Sequence, residues 1–176
     1  MENSNQLRAL AILDDIRELL HDEQDNIRHR YDRLYVAFIE VLNEQTAASA
    51  LTFSGPFSKL DYVCRVMGYP MADLQRLNAF RCRASQTDSC DEATLTQEWK
   101  YDVKTVCHFV TKVYGIQLPE DLRRLLPAAY SPQPFKGVSE DCIRAVVRAS
   151  TVTPSADAIS DTTSASRAGH ARKEDG

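Results

Sequence analysis

Apolar residues return every three to four positions along most of the chain, the repeat of helices that each bury one face. Leu7, Leu10, Leu13, Ile16 and Leu20 form the first stripe, with Asp14, Asp15, Arg17 and Glu18 between them, and predict an amphipathic helix from about Asn5 to Leu20. Polar His21 to Asn26 interrupt it. The pattern resumes in a new phase at Ile27, Tyr31, Leu34, Phe38, Val41 and Leu42, predicting a helix to about Gln45 that is either separate from the first or the second half of one bent rod. Gly55-Pro56 then breaks the chain. Phe57, Leu60, Val63, Cys64 and Met67 predict a third helix, with Ser54 as its N-cap and Gly68 as a left-handed terminator. Pro70 suits a first turn, and Met71, Leu74, Leu77 and Phe80 carry a fourth helix toward Ala84. The short link Gly68-Tyr69 makes the third and fourth helices a tight pair.

Ser85 to Glu92 are polar and read as a loop. Trp99, Val103, Val106, Val110 and Val113 give the clearest stripe, and its lack of strict alternation excludes a strand; Tyr114-Gly115 supplies the stop. Pro119-Glu120-Asp121 opens a short helix, Glu120 to Leu126, that Pro127 ends. Pro127, Pro132 and Pro134 then make an extended connector, after which Ser139 caps a docking helix carrying Cys142, Ile143, Val146 and Val147. From Ser150 the Ser/Thr/Ala/Asp-rich sequence has too little to bury and is expected to be disordered. The fold class is therefore all-α: a compact bundle of about five main helices over residues 1–127, a connector with a docking helix over 128–149 and a tail over 150–176.

Length and composition fit this division: 176 residues at 43% hydrophobic content suit one globular domain. The formal charge of -4 argues against a chain built mainly to neutralise nucleic-acid phosphates. Every apolar run is broken by charge well short of the ~18 residues of a membrane helix, and the polar start Met1-Glu2-Asn3-Ser4-Asn5 lacks signal-peptide form. A cytoplasmic location without a membrane partner is expected. Cys64, Cys82, Cys90, Cys107 and Cys142 are odd in number and unevenly spaced, so they read as reduced thiols rather than a disulfide framework. The closest two, Cys82 and Cys90, are too far apart in sequence for a zinc knuckle, and Cys107 and His108 point about 100° apart on a helix, so no metal is expected.

Catalytic signatures are missing as well. The six glycines include no phosphate-binding loop, and the chain has no G-x-S-x-G or H-E-x-x-H arrangement, so neither an enzymatic activity nor a cofactor is expected. Glu40 and Glu44 share a helix face, yet the chain lacks the two Glu-x-x-His steps that a di-iron bundle needs, and the pair reads as a solvated face. His29 and His108 fall on polar faces, whereas Cys107 belongs with the valines of its helix. One stretch stands out by charge. Lys59, Arg65, Arg76, Arg81 and Arg83 give residues 48–90 five basic against three acidic side chains, and Arg76 and Arg83, two turns apart, share a face that could meet phosphates or a partner's acidic groups. These five residues are the candidate partner-binding or nucleic-acid-binding set.

The segment Phe53-Ser54-Gly55-Pro56-Phe57-Ser58-Lys59-Leu60-Asp61-Tyr62-Val63-Cys64, followed by Leu74-Gln75-Arg76-Leu77-Asn78-Ala79-Phe80-Arg81, resembles a helical region ahead of the motor in some bacterial superfamily I DNA helicases. It resembles the helical HEPN domains more distantly. The first resemblance implies a freestanding or truncated accessory domain in DNA metabolism, without a motor. The second implies a ribonuclease or nucleic-acid-binding domain using the arginine face. Catalytic HEPN proteins place a histidine four to six residues after an arginine, however, and the residues after Arg81 and Arg83 contain none, which implies a binding member. The leading expectation is a non-enzymatic interaction module with an unspecified protein partner; nucleic-acid binding or a HEPN-type ribonuclease is the alternative.

Overall fold

In a computed structural model, the structure describes residues 2–132. The docking helix near Cys142 and the tail from Ser150 lie outside the described residues.

Among the described residues the chain is all-helical: α1 (Glu2–His21), α2 (Ile27–Ala47), α3 (Pro56–Val66), α4 (Met71–Ser85), α5 (Glu92–Tyr114) and α6 (Glu120–Leu125), with a 3-10 turn at Thr87–Ser89 in the loop between α4 and α5. No strand occurs among them.

Local chemistry places the breaks. The first stripe ends in a true interruption: Asn26 caps α2, its side-chain oxygen accepting from the backbone N–H of Arg28 at 2.8 Å, so α1 and α2 are separate helices. At α3 the cap is Gly55 rather than Ser54; the Ser58 hydroxyl turns back, accepting from the Gly55 N–H at 3.1 Å and donating to its carbonyl at 2.8 Å. Asp91 caps α5 by accepting from the Thr94 N–H at 2.7 Å. Gly68 after α3 (φ 65°) and Gly115 after α5 (φ 68°) take left-handed backbone, the conformation an L side chain resists.

Helix α2 is the centre of the bundle, packed against α3, α4 and α5, and α1 lies along α5. Its predicted stripe, from Ile27 through Tyr31, Leu34, Phe38 and Val41 to Leu42, is buried throughout. Phe38 meets Phe80 of α4 and Phe109 of α5, each with ring centroids 5.3 Å away, and Tyr31 meets Trp99 of α5 edge-on at 5.1 Å. In α1 the buried face is shifted from the expected stripe: Ala9, Ile12, Leu13, Ile16, Leu19 and Leu20 are inside, and Leu7 is 62% exposed. Met71, expected in the α4 stripe, is also exposed. No described helix is long and apolar enough to cross a membrane.

Candidate partner-binding site

The arginine face of α4 is the place to begin. Arg76 and Arg83 do share a side of the helix, but only Arg76 keeps a partly exposed side chain, and Arg83 turns into α5. Arg83 is only 2% exposed. Its guanidinium forks onto Asp102 of α5, Nε donating to Oδ2 at 2.8 Å and Nη2 to Oδ1 at 2.6 Å, and the Tyr31 hydroxyl of α2 donates to the same Oδ2 at 2.7 Å. Burial alone would lower the Arg83 pKa; the hydrogen bonds and charge of Asp102 outweigh it, and the net shift is upward. Burial, reinforced by the Asp102 charge, pushes the Tyr31 phenol well above its ordinary value. Three helices are thus joined through one carboxylate. The cavity bordered by Arg83, Asp102, Glu98 and Arg76 measures about 10 Å³, the room of a single water, so no substrate enters here.

Arg83 therefore leaves the candidate surface set, because ionic pairing with a buried carboxylate satisfies it internally. The other four are held locally and are not gathered into one patch by their contacts. Lys59 donates to Asn43 at 2.6 Å, Arg65 pairs with Asp61 at 2.8 Å, and Arg81 donates to Asn78 at 2.9 Å and lies over the Phe57 ring. Burial lowers the Arg81 pKa. Arg76 pairs with Asp73 at 2.8 Å and differs from the rest in what it covers.

Arg76 sits over the ring of Tyr130, its guanidinium carbon 4.2 Å from the centroid, and Lys104 of α5 approaches the same ring at 4.7 Å. Lys104 Nζ also donates to the backbone carbonyls of Pro127 (2.9 Å) and Ala128 (2.8 Å). The segment after α6 is thereby clamped onto α4 and α5 through one aromatic ring and two carbonyls. Burial, then the charge of Arg76, lowers the Lys104 pKa. Next to Tyr130, a cavity of about 200 Å³ is lined by Arg76, His108, Lys112, Tyr69 and Asp73, and a neighbouring one of about 540 Å³ by Lys104, His108, Arg123 and Leu118 among others. Positive charge from α4, α5 and α6 converges on this face of a net-acidic chain.

Sequence reasoning missed Asp102, Tyr130 and Lys104. A signal for the first existed. Continuing the stripe Leu74, Leu77, Phe80 by three leads to Arg83, and Asp102 lies three after Trp99, so an arginine and a carboxylate both occupy core positions.

The remaining reactive groups are set for packing. Cys64 and Cys107 are buried free thiols, and burial pushes each up to about 12. Cys90 is free and shifted upward, again by burial. Glu40 and Glu44 are not simply solvated: Arg8 of α1 bonds both, at 3.3 and 2.8 Å, tying α1 to α2. No group of three His, Cys, Asp or Glu side chains that could hold a metal occurs among the described residues.

No protein-family model matches the chain, and neither a curated protein nor a solved structure does.

Proposed function

We propose that the chain is a non-enzymatic helical interaction module whose α4–α5 face receives a peptide with an aromatic side chain and acidic flanks. One observation carries this reading: Tyr130 of the chain's own connector lies against both Arg76 and Lys104, with the carbonyls of residues 127 and 128 on Lys104 Nζ. This is the chemistry of peptide recognition, an aromatic anchor on cations beside main-chain acceptors. Lys112 and Arg123 border the adjoining concavities and favour acidic flanks, whereas burial and the charge of Lys104 lower the His108 pKa and keep that ring from adding a positive charge.

The resemblance to the region ahead of helicase motors makes DNA metabolism the proposed setting. A HEPN-type ribonuclease or nucleic-acid-binding domain is the second reading. Arg81, Arg76, Arg65 and Lys59 supply its cations, and their engagement with Asn78, Asp73, Asp61 and Asn43 weighs against it. The test is fluorescence anisotropy with a labelled peptide bearing one tyrosine between acidic residues. Saturable binding, weakened at least tenfold by Arg76→Glu or by alanine in place of the peptide's tyrosine, is expected. Absence of saturable binding, together with RNA cleavage lost in Arg81→Ala, would replace this reading with the second.

A further inference from the structure

Helix α4 is flanked on three sides by α2, α3 and α5. Phe80 meets Phe38 of α2, Arg81 lies over the Phe57 ring of α3, and Arg83 forks onto Asp102 of α5. At about 100° per residue, Asn78 and Cys82 each stand about 160° from Phe80, and Cys82 lies midway between the directions of Arg81 and Arg83. Both therefore point away from the bundle, on the fourth side of the helix, with Ala79 next to them.

Side chains so placed belong in water, yet Asn78, Ala79 and Cys82 are only 2%, 1% and 2% exposed. Ala79 and Cys82 also stand apart from the hydrophobic core that the described helices build. The ends of the same side are open, with Met71 and Gln86 exposed. Arg81 reaches back along one edge, donating to Asn78 at 2.9 Å and to the Cys82 sulfur at 3.4 Å. It is itself half-buried, however, and burial lowers its pKa, so the cover extends over Arg81 too.

The three helices packed on α4 lie on its other sides, which leaves the chain beyond Pro132 to supply the cover. That sequence holds one helical apolar stripe, Cys142, Ile143, Val146 and Val147, and the stretch from Ser150 holds none. Its length suffices. The Ser131 hydroxyl donates to Glu98 of α5 at 3.3 Å, beside the small cavity that Arg76 and Arg83 border, so the described chain ends at the α4–α5 seam. Residues 132–138, extended, span about 23 Å, against a helix diameter of about 10–12 Å. Charge agrees as well: Asn78 and Cys82 offer Arg81 neutral partners, and Glu140 and Asp141 directly precede Cys142.

We propose that residues 139–149 dock as an amphipathic helix on the outer side of α4, with the face of Cys142, Ile143, Val146 and Val147 over Asn78, Ala79 and Cys82 and the acidic first turn near Arg81. The docked segment anchors the far end of the connector that carries Tyr130. The proposal does not depend on peptide binding at the α4–α5 face, and its readouts use no peptide.

Cys82 reports the cover. The full chain, reduced beforehand, is alkylated with iodoacetamide in native buffer, and each cysteine is followed by peptide mass spectrometry. Cys82 is expected to react as slowly as the buried Cys64 and Cys107, and more slowly than the half-buried Cys90. Ile143→Asp combined with Val146→Asp is expected to speed Cys82 at least tenfold while Cys64 and Cys107 stay slow. Should all three speed up, the variant has unfolded and oxidation of the wild type by copper–phenanthroline decides: it joins Cys142 to Cys82 within one chain, the pairing open to thiols that lie over one another. Fast alkylation of Cys82 in the wild type, unchanged protection in the folded variant, a Cys142 that pairs with Cys90 or stays unpaired, or a product of two chains would overturn the proposal.

Discussion

Arg83 illustrates how one side chain can be read two ways from sequence. By charge it belongs to a basic cluster; by position it extends the stripe of Leu74, Leu77 and Phe80 into the core. Position wins because Asp102 lies across the helix interface to receive both of its donors. A partner on another helix is invisible to a one-dimensional pattern, which is why the pair was missed although each half sat on an apolar stripe. A buried ion pair adds little net stability, but removing one partner strands a charge in low dielectric. Arg83→Ala is therefore expected to destabilise the fold by about 3–5 kcal/mol in urea denaturation, and Arg83→Met combined with Asp102→Leu to recover most of that loss. A single-variant loss below about 1 kcal/mol would mean that the pair bears no structural strain. The same reasoning accounts for Lys104, 8% exposed and satisfied by carbonyls some 23 and 24 residues further along the chain.

At the scale of elements, periodicity and stop signals located all six described helices, with ends displaced by a few residues. The loop read through Glu92 gives way to α5 at Glu92 itself, because Asp91 supplies a cap that the apolar stripe alone does not mark. In α1 the stripe through Leu7 is off by about one position, because the face that meets α5 also takes in Ala9, Ile12 and Leu19, whose small or adjacent side chains widen the apolar sector. Gly115 ends α5 as expected, and its cost of replacement is purely conformational: a Cβ built there meets nothing within 4 Å, yet φ is 68°. Gly115→Ala is expected to destabilise the protein by about 1 kcal/mol, read as a lowered thermal midpoint. An unchanged midpoint would show that the left-handed cap carries no weight.

For the molecule as a whole, the bundle was legible because it rests on nearest-neighbour periodicity, whereas the candidate site was legible only in part. Arg76 was singled out for its charge, and the structure adds what that charge covers. Tyr130 falls in a stretch that reads as an extended connector between prolines, and nothing local in Pro127-Ala128-Ala129-Tyr130 announces that it returns to α4 and α5. On the proposed function, that return makes the connector an internal competitor for the face it covers. A ligand that needs the uncovered face binds with an affinity reduced by the fraction of molecules in which Tyr130 is away.

The decisive measurement is the dissociation constant of the tyrosine-bearing acidic peptide for the wild type and for Tyr130→Ala under the same salt. The account predicts binding that is at least fivefold tighter in Tyr130→Ala, because the competing ring is gone while Arg76 and Lys104 remain. Equal affinities, or no binding by either protein, would contradict it.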